Sequence, residues 1–148
     1  MANLELVKKL REETGLSIGD INKALAEAGD DEVKARELLR ERGAALADKK
    51  STREIKQGAV AAYIHNHRVG AMVTLGSETD FVARNPEFLT LANDLAMQIA
   101  AMQPKDLAEL LGQPFIKDEA LTINELLNQH IAKLGENIRI EEFVRFTI

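Results

Sequence analysis

Four side chains near the middle of the chain have the types that metal chemistry requires. His65 and His67 lie two apart, so on an extended strand they would share a face, and Glu78 or Asp80 could complete a His/carboxylate set for a divalent cation. No nucleophile or phosphate loop accompanies them, and two His in the turn-like stretch "HNHR" are more often solvated turn residues. The chain has no Cys, which removes thiolate zinc sites, disulfides and cysteine nucleophiles. A second cluster lies nearby. In "GSETDFVARNPEF", residues 76–88, Phe81 and Val82 follow Glu78, Thr79 and Asp80 directly. An apolar pair in such a loop either folds back as a staple beneath the helix that follows, or is held outward for a partner.

The elements that must position these residues divide the chain by charge and by period. The chain of 148 residues is 45% hydrophobic, with three Pro, which suits one medium domain or two small ones. Residues 1–43 carry eight Lys/Arg against ten Asp/Glu, residues 44–56 four against two, and residues 57–148 seven against twelve. Nothing here forms a broad basic face for phosphate backbones, so direct nucleic-acid binding is not expected. No apolar run reaches membrane-spanning length, and "MANLELVKKLREE" is too charged for a signal peptide, so a cytoplasmic protein is expected.

Residues 1–43 read as three short amphipathic helices. Asn3 caps the first, with Leu4, Val7 and Leu10 at helical spacing and Gly15 as its stop. Ser17 opens the second, with Ile18, Ile21 and Leu25 as its stripe, and Asp30 or Asp31 the third, where Val33, Leu38 and Leu39 supply apolar contacts before Gly43. Three such helices bury little surface, which suits a docking module rather than a catalytic domain. Residues 44–56 then read as a polar linker, partly helical through Ala44–Lys50.

From residue 57 the period becomes two. "AVAAYIH" and "VGAMVTL" form a hairpin around residues 65–68, with Val69, Ala71, Val73 and Leu75 on one face, and Ile138, Ile140, Val144, Phe146 and Ile148 share one face of a last strand. Glu142 and Phe143 break that last pattern. Asn85-Pro86 opens a helix with the stripe Phe88, Leu91, Ala92, Leu95, Ile99 and Met102, and Thr122 with Glu125 forms a capping box for another that Gly135 closes. The order β-β-α-α-β predicts an α+β core over residues 57–148, a three-stranded antiparallel sheet covered by helices.

These stretches together resemble bacterial elongation factor Ts, the nucleotide exchange factor for elongation factor Tu, in its short single-core form. "LVKKLREETGLSIGDINKALAEAGDD" matches its N-terminal module, which is similar to ubiquitin-associated domains; "AYIHNHRVGAMVTLGSETDFVARNPEF" matches its central signature, and "QPFIKD" with "KLGENIRIEEFVRF" its C-terminal core. The resemblance implies a translation factor that binds GDP-bound elongation factor Tu and promotes GDP release without covalent chemistry. It therefore implies no enzyme activity, no cofactor, no bound metal, and no direct contact with nucleic acid or membrane. It also implies that Thr79, Asp80, Phe81 and Val82 form the exchange motif. In the family the Phe inserts between helices of the partner's GTPase domain and the Asp helps disturb the nucleotide-bound Mg²⁺, while Val82 reads as a core residue. Leu10, Arg11, Thr14, Gly15 and Lys23 match the docking motif, although Leu10 also suits the module's core and Gly15 its turn.

The chain departs from the family in three places. Only "MQPKDLAELLG" stands where a long helical stretch is usual, "HNHR" is shorter than the usual glycine-containing turn, and Glu141-Glu142 stand where Arg-Arg is common. A single core, where long members have two, implies a homodimer. The other reading is a plain interaction protein built on a ubiquitin-associated-like module.

Overall fold

The computed structural model describes residues 3–148. Asn3 accepts from Glu5 N at 2.9 Å and opens α1 (Leu4–Thr14), which Gly15 ends in the left-handed conformation at φ 72°. Ser17 caps α2 (Ile18–Glu27), and Asp31 caps α3 (Glu32–Lys50) by accepting from Val33 N and Lys34 N. Each predicted cap therefore sits at a helix start, where its side-chain oxygen satisfies an otherwise orphaned N–H. Val7, Leu10, Leu16, Ile21, Ala24, Leu25, Ala35 and Leu39 form the core of this module. Arg36 ties its first and third helices together, donating to Glu13 at 3.0 and 3.1 Å and pairing with Glu32 at 2.6 Å. Hydrogen bonds from Lys9 and Arg36 hold the Glu32 carboxyl below its usual range.

Three apolar assignments in these helices are corrected, since Leu4 and Ile18 are 67% and 47% exposed and Val33 is exposed too. Val33 is 67% exposed and contributes no core contact; Ala35 takes that role. The helix expected through Ala44–Lys50 is present, and it is continuous through Gly43 with the third helix of the module rather than a separate linker turn. An interior Gly costs about 1 kcal/mol relative to Ala, but here both sides of it are anchored. Leu39 packs in the module, and Ala47 packs against the second core.

That second core lies between one face of a three-stranded antiparallel sheet and the helices that cover it. β1 (Gln57–His65) and β2 (Val69–Ser77) form the hairpin, and β5 (Arg139–Thr147) pairs with β2, giving the order β1-β2-β5. Asn66 and His67 take positive φ values of 51° and 58° in the turn, and Arg68 N donates to His65 O at 3.0 Å. After β2 come α4 (Asp80–Ala83) and α5 (Pro86–Met102), the latter capped by Asn85 with Pro86 in its first turn. Phe88, Leu91, Ala92, Leu95, Ala96 and Ile99 face Ala61, Ala71, Val73 and Leu75 of the hairpin, whereas Met102 is 42% exposed and lies off the stripe.

Between α5 and the last helix the structure adds elements that the sequence reading did not resolve: α6 (Leu107–Gly112) and a small hairpin of β3 (Pro114–Phe115) and β4 (Asp118–Thr122). The fully buried Gln98 holds that hairpin, donating to Pro114 O at 2.9 Å and accepting from Ile116 N at 2.9 Å. The capping box of Thr122 and Glu125 then opens α7 (Ile123–Leu134), and Gly135 ends it at φ 75°. On α7, burial holds the His130 imidazole below its ordinary pKa, with Nδ1 2.9 Å from Leu126 O.

The last strand departs from its predicted pattern. Leu75 pairs with Ile140 and Thr74 with Glu142, so Glu141 is an extra residue. A bulge of one residue reverses every side chain beyond it. Phe143 accordingly packs on the core beside Val73, while Val144, Phe146 and Ile148 are 41%, 72% and 86% exposed. They share the outer face of the sheet with Val60, Ile64 and Met72 and extend an uncovered apolar surface across all three strands. No helix of the described residues is long and apolar enough to cross a membrane.

A Cβ built on Gly43 meets nothing within 4 Å, and its φ is not positive. Gly43→Ala should therefore stabilise the protein by about 0.5–1 kcal/mol in denaturant unfolding. A destabilised variant would contradict a continuous α3.

Candidate functional site

The fixed backbone of residues 77–79 and the burial of Val82 and Ala83 define the site. Thr79 caps the single turn of α4, its hydroxyl accepting from Val82 N, and Ser77 Oγ donates to Thr79 O at 2.9 Å. A turn of four residues does not persist by itself, because helix nucleation is costly. Anchors on two sides replace that missing cooperativity. Val82 and Ala83 are each 8% exposed in the main core, beneath the turn. From the end of α7, Glu136 reaches across: one carboxylate oxygen accepts from Glu78 N at 3.1 Å and Thr79 N at 3.0 Å, and the other from Thr79 Oγ1 at 2.6 Å. In return Asn137 N donates to Glu78 Oε1 at 2.8 Å.

Phe81 sits on this turn with 86% of its surface exposed. The staple alternative fails for Phe81 and holds for Val82, which is the core residue of the pair. Asp80 is paired with Arg84 at 3.0 Å, both side chains being largely in solvent. Such a pair contributes about 0–1 kcal/mol, so Asp80 can exchange Arg84 for another partner at small cost.

The metal alternative fails on distance. His65 pairs with Val69 at one end of the hairpin, whereas Ser77, next to Glu78, pairs with Gln57 at the other. Eight residues of strand separate the two ends by roughly 26 Å. His65 Nδ1 instead lies 2.9 Å from the Tyr63 hydroxyl.

The five residues of the docking motif separate into two kinds. Leu10 is fully buried, and Thr14 donates its hydroxyl to Leu10 O at 2.7 Å inside the module. A Cβ on Gly15 would come within 2.7 Å of Lys133 N, so this glycine lets α1 approach the end of α7. Arg11 and Lys23 are exposed but line different grooves. The one beside Arg11, of about 700 Å³, is also bordered by Leu4, Val7, Lys8, Ile18 and Asn22. The one beside Lys23 runs between α2 and α3, past Asp20, Leu38, Arg42 and Leu46.

Sequence reasoning missed Glu136, Ser77, Gln98 and Asn137. Asn137 is buried and donates Nδ2 to Arg53 O at 2.8 Å and Ser51 O at 3.4 Å, tying the chain after α3 to the end of α7. Ser77 acts on Thr79 only two residues on, whereas the partners of Gln98, Glu136 and Asn137 lie between 15 and 86 residues away, so no local pattern marks those three.

The chain is similar to known proteins over nearly its whole length. The family model described as elongation factor TS matches residues 78–148, a span that begins at the site and includes Glu136. An elongation factor Ts of Thermotoga petrophila is 40% identical, with 99% of this chain and 96% of the relative covered. One of Rubrobacter xylanophilus is 38% identical over 98% of both. The chloroplastic polyprotein of EF-Ts from Oryza sativa subsp. japonica is 41% identical over 97% of this chain, which spans 17% of that relative's length. The alignment to the Thermotoga protein runs over 190 positions against the 148 residues here, so at least 42 of its positions have no counterpart in this chain. With two bacterial relatives matched over nearly their whole length, the chain belongs to the elongation factor Ts family of translation elongation factors.

Proposed function

We propose that this protein is a guanine nucleotide exchange factor that binds GDP-bound elongation factor Tu and promotes release of the nucleotide. The observation that carries this reading is Phe81, a large apolar side chain left 86% in solvent on a backbone fixed from two sides. A ring that is already exposed and ordered forfeits little entropy on binding, and burying it in a partner contributes roughly 1.5–3 kcal/mol. Asp80 stands beside it and carries the charge that can compete at the partner's Mg²⁺ site once it leaves Arg84.

Exchange of this kind makes and breaks no covalent bond. A factor that stabilises a partner conformation with weak affinity for Mg²⁺ and GDP lowers nucleotide affinity, and by linkage the nucleotide lowers the affinity for the factor by the same ratio. GDP leaves, and incoming GTP later displaces the factor. In this scheme residues 1–43 are the docking module, with Arg11 and Lys23 as its exposed contacts, and Leu10, Thr14 and Gly15 as the residues that shape it. Residues 57–148 are the exchange core. The linker of residues 44–56 is helical as far as Lys50 and so works as a strut.

We further read the outer face of the sheet as the surface on which two copies associate. Val60, Ile64, Met72, Val144 and Phe146 form a contiguous apolar patch of a kind that monomeric proteins rarely expose, and a two-fold axis would cover it with its own copy.

Release of fluorescent GDP from elongation factor Tu, measured with and without this protein, tests the exchange reading. Phe81→Ala should lower the stimulated rate at least tenfold, the equivalent of the lower end of the burial estimate, and shift the thermal midpoint by no more than about 1 °C. An unchanged rate, or a large loss of thermal stability, would contradict the role given to the ring. For the assembly, sedimentation equilibrium at micromolar concentration should give about twice the 16.4 kDa chain mass, and Phe146→Glu about one chain mass. A wild-type monomer throughout would exclude the dimer.

A further inference from the structure

The exchange motif is a turn too short to hold itself, and its outermost residue contributes nothing to its own placement. Phe81 is 86% exposed and α4 spans four residues. What lies beneath the turn fixes its depth: Val82 and Ala83 in the core. What fixes its lateral position is the Ser77 hydroxyl, which donates to Thr79 O at 2.9 Å, together with one carboxylate. Glu136 accepts three hydrogen bonds from Glu78 N, Thr79 N and Thr79 Oγ1, at 3.1, 3.0 and 2.6 Å. Its own position is set by Gly135, whose left-handed φ of 75° turns the chain out of α7, and by Asn137, which is bonded on its far side to Ser51 O, Arg53 O and Glu78 Oε1. Glu136 and Glu78 therefore form a reciprocal clasp, each carboxylate accepting from the backbone of the other's segment.

We propose that Glu136 is a positioning residue for nucleotide exchange, acting through Thr79 to hold Phe81 and Asp80 in the geometry that engages the partner. The proposal rests on the exchange reading above. Its physical basis is preorganisation. Bonds to a carboxylate are stronger than neutral ones, and here they restrain the 77–78 and 78–79 peptide units, while Ser77 Oγ, donating to Thr79 O, restrains the peptide that leads into Asp80. Without them, the N–H groups of Glu78 and Thr79 turn to water and the turn must be ordered anew at each encounter. The docking module meets the partner through other residues, so initial binding should survive while the exchange step fails. A residue that only supported the fold would lower both together, or neither.

The test uses the full chain. Stimulated GDP release is measured as a function of factor concentration for wild type, Glu136→Ala and Glu136→Gln, beside amide hydrogen exchange at Glu78 and Thr79 and thermal unfolding. Glu136→Ala should lower the saturating rate about tenfold, leave the half-saturating concentration within about threefold, and abolish protection of the Thr79 amide. Gln retains an oxygen for the two amides but presents N–H to the Thr79 hydroxyl, so Glu136→Gln should fall between. A saturating rate within twofold of wild type for Glu136→Ala, or unaltered protection at Glu78 and Thr79, would overturn the proposal. If Glu136→Ala unfolds at the assay temperature, Glu136→Gln decides: a reduced ceiling with a wild-type melt supports it, and a wild-type ceiling refutes it. A wild-type protein that never stimulates release would overturn the exchange reading beneath it, whereas unaltered Thr79 protection in an active factor would overturn the clasp alone.

Discussion

The end of α7 is the constraint on which the rest depends. Within five residues, Lys133 receives the close approach of Gly15 from α1, Gly135 O accepts from Lys50 of α3, Glu136 holds the turn that bears Phe81, and Asn137 binds the chain that leaves α3. One short segment thus touches the helical module, the end of α3 and the turn that bears Phe81. Near the start of α7, Arg40 of α3 pairs with Glu125 at 3.0 Å and donates to Ala120 O at 3.0 Å, so α3 is fastened to the second unit at Arg40 as well as at Lys50. The mutual position of the helical module and Phe81 follows from how these groups meet.

The energies are distributed unevenly. Burial holds each unit together: eight apolar side chains in the module and a larger cluster between sheet and helices, each fully buried Leu, Ile or Phe contributing roughly 1.5–3 kcal/mol. The ion pairs on the surface, such as Arg42 with Asp20 at 2.7 Å and Lys117 with Asp94 at 2.7 Å, contribute far less singly and serve to fix orientation. Leu4, Ile18 and Val33 are exposed on the helical module, and on the second unit the exposed apolar surface includes the ring of Phe81 and the outer face of the sheet. The ring and the sheet face are both carried on backbone that is already ordered.

The local chemistry of the chain was legible in advance. Asn3, Ser17, Asp31, Asn85 and Thr122 all cap helices, because a short polar side chain before an apolar periodic run has one good use. The alternation in β2 also predicted its buried face. Non-local features were illegible. Parity assigned Val144, Phe146 and Ile148 to the core, and one bulged residue at Glu141 reversed them; the break at Glu142-Phe143 was the only sign. The helix read for Ala44–Lys50 is present, but its continuity with the third helix of the module was not legible, because Ala47 packs on a core assembled from residues downstream. At the site, the exposure of Phe81 followed from family resemblance rather than from its spacing, and Glu136 gave no signal, since its partners lie 57 and 58 residues earlier.

The end of α7 holds the N-terminal helical module and the turn that bears Phe81 as one body. The chain has no Cys, so spin labels can be placed at Lys23→Cys and Phe81→Cys alone. Pulsed electron–electron dipolar spectroscopy on that doubly labelled protein, diluted into unlabelled chains to suppress intermolecular distances, should give a single narrow distance distribution. A broad or multimodal distribution, equal in width to that of a variant cut between the two units, would show that they move independently and would contradict the account.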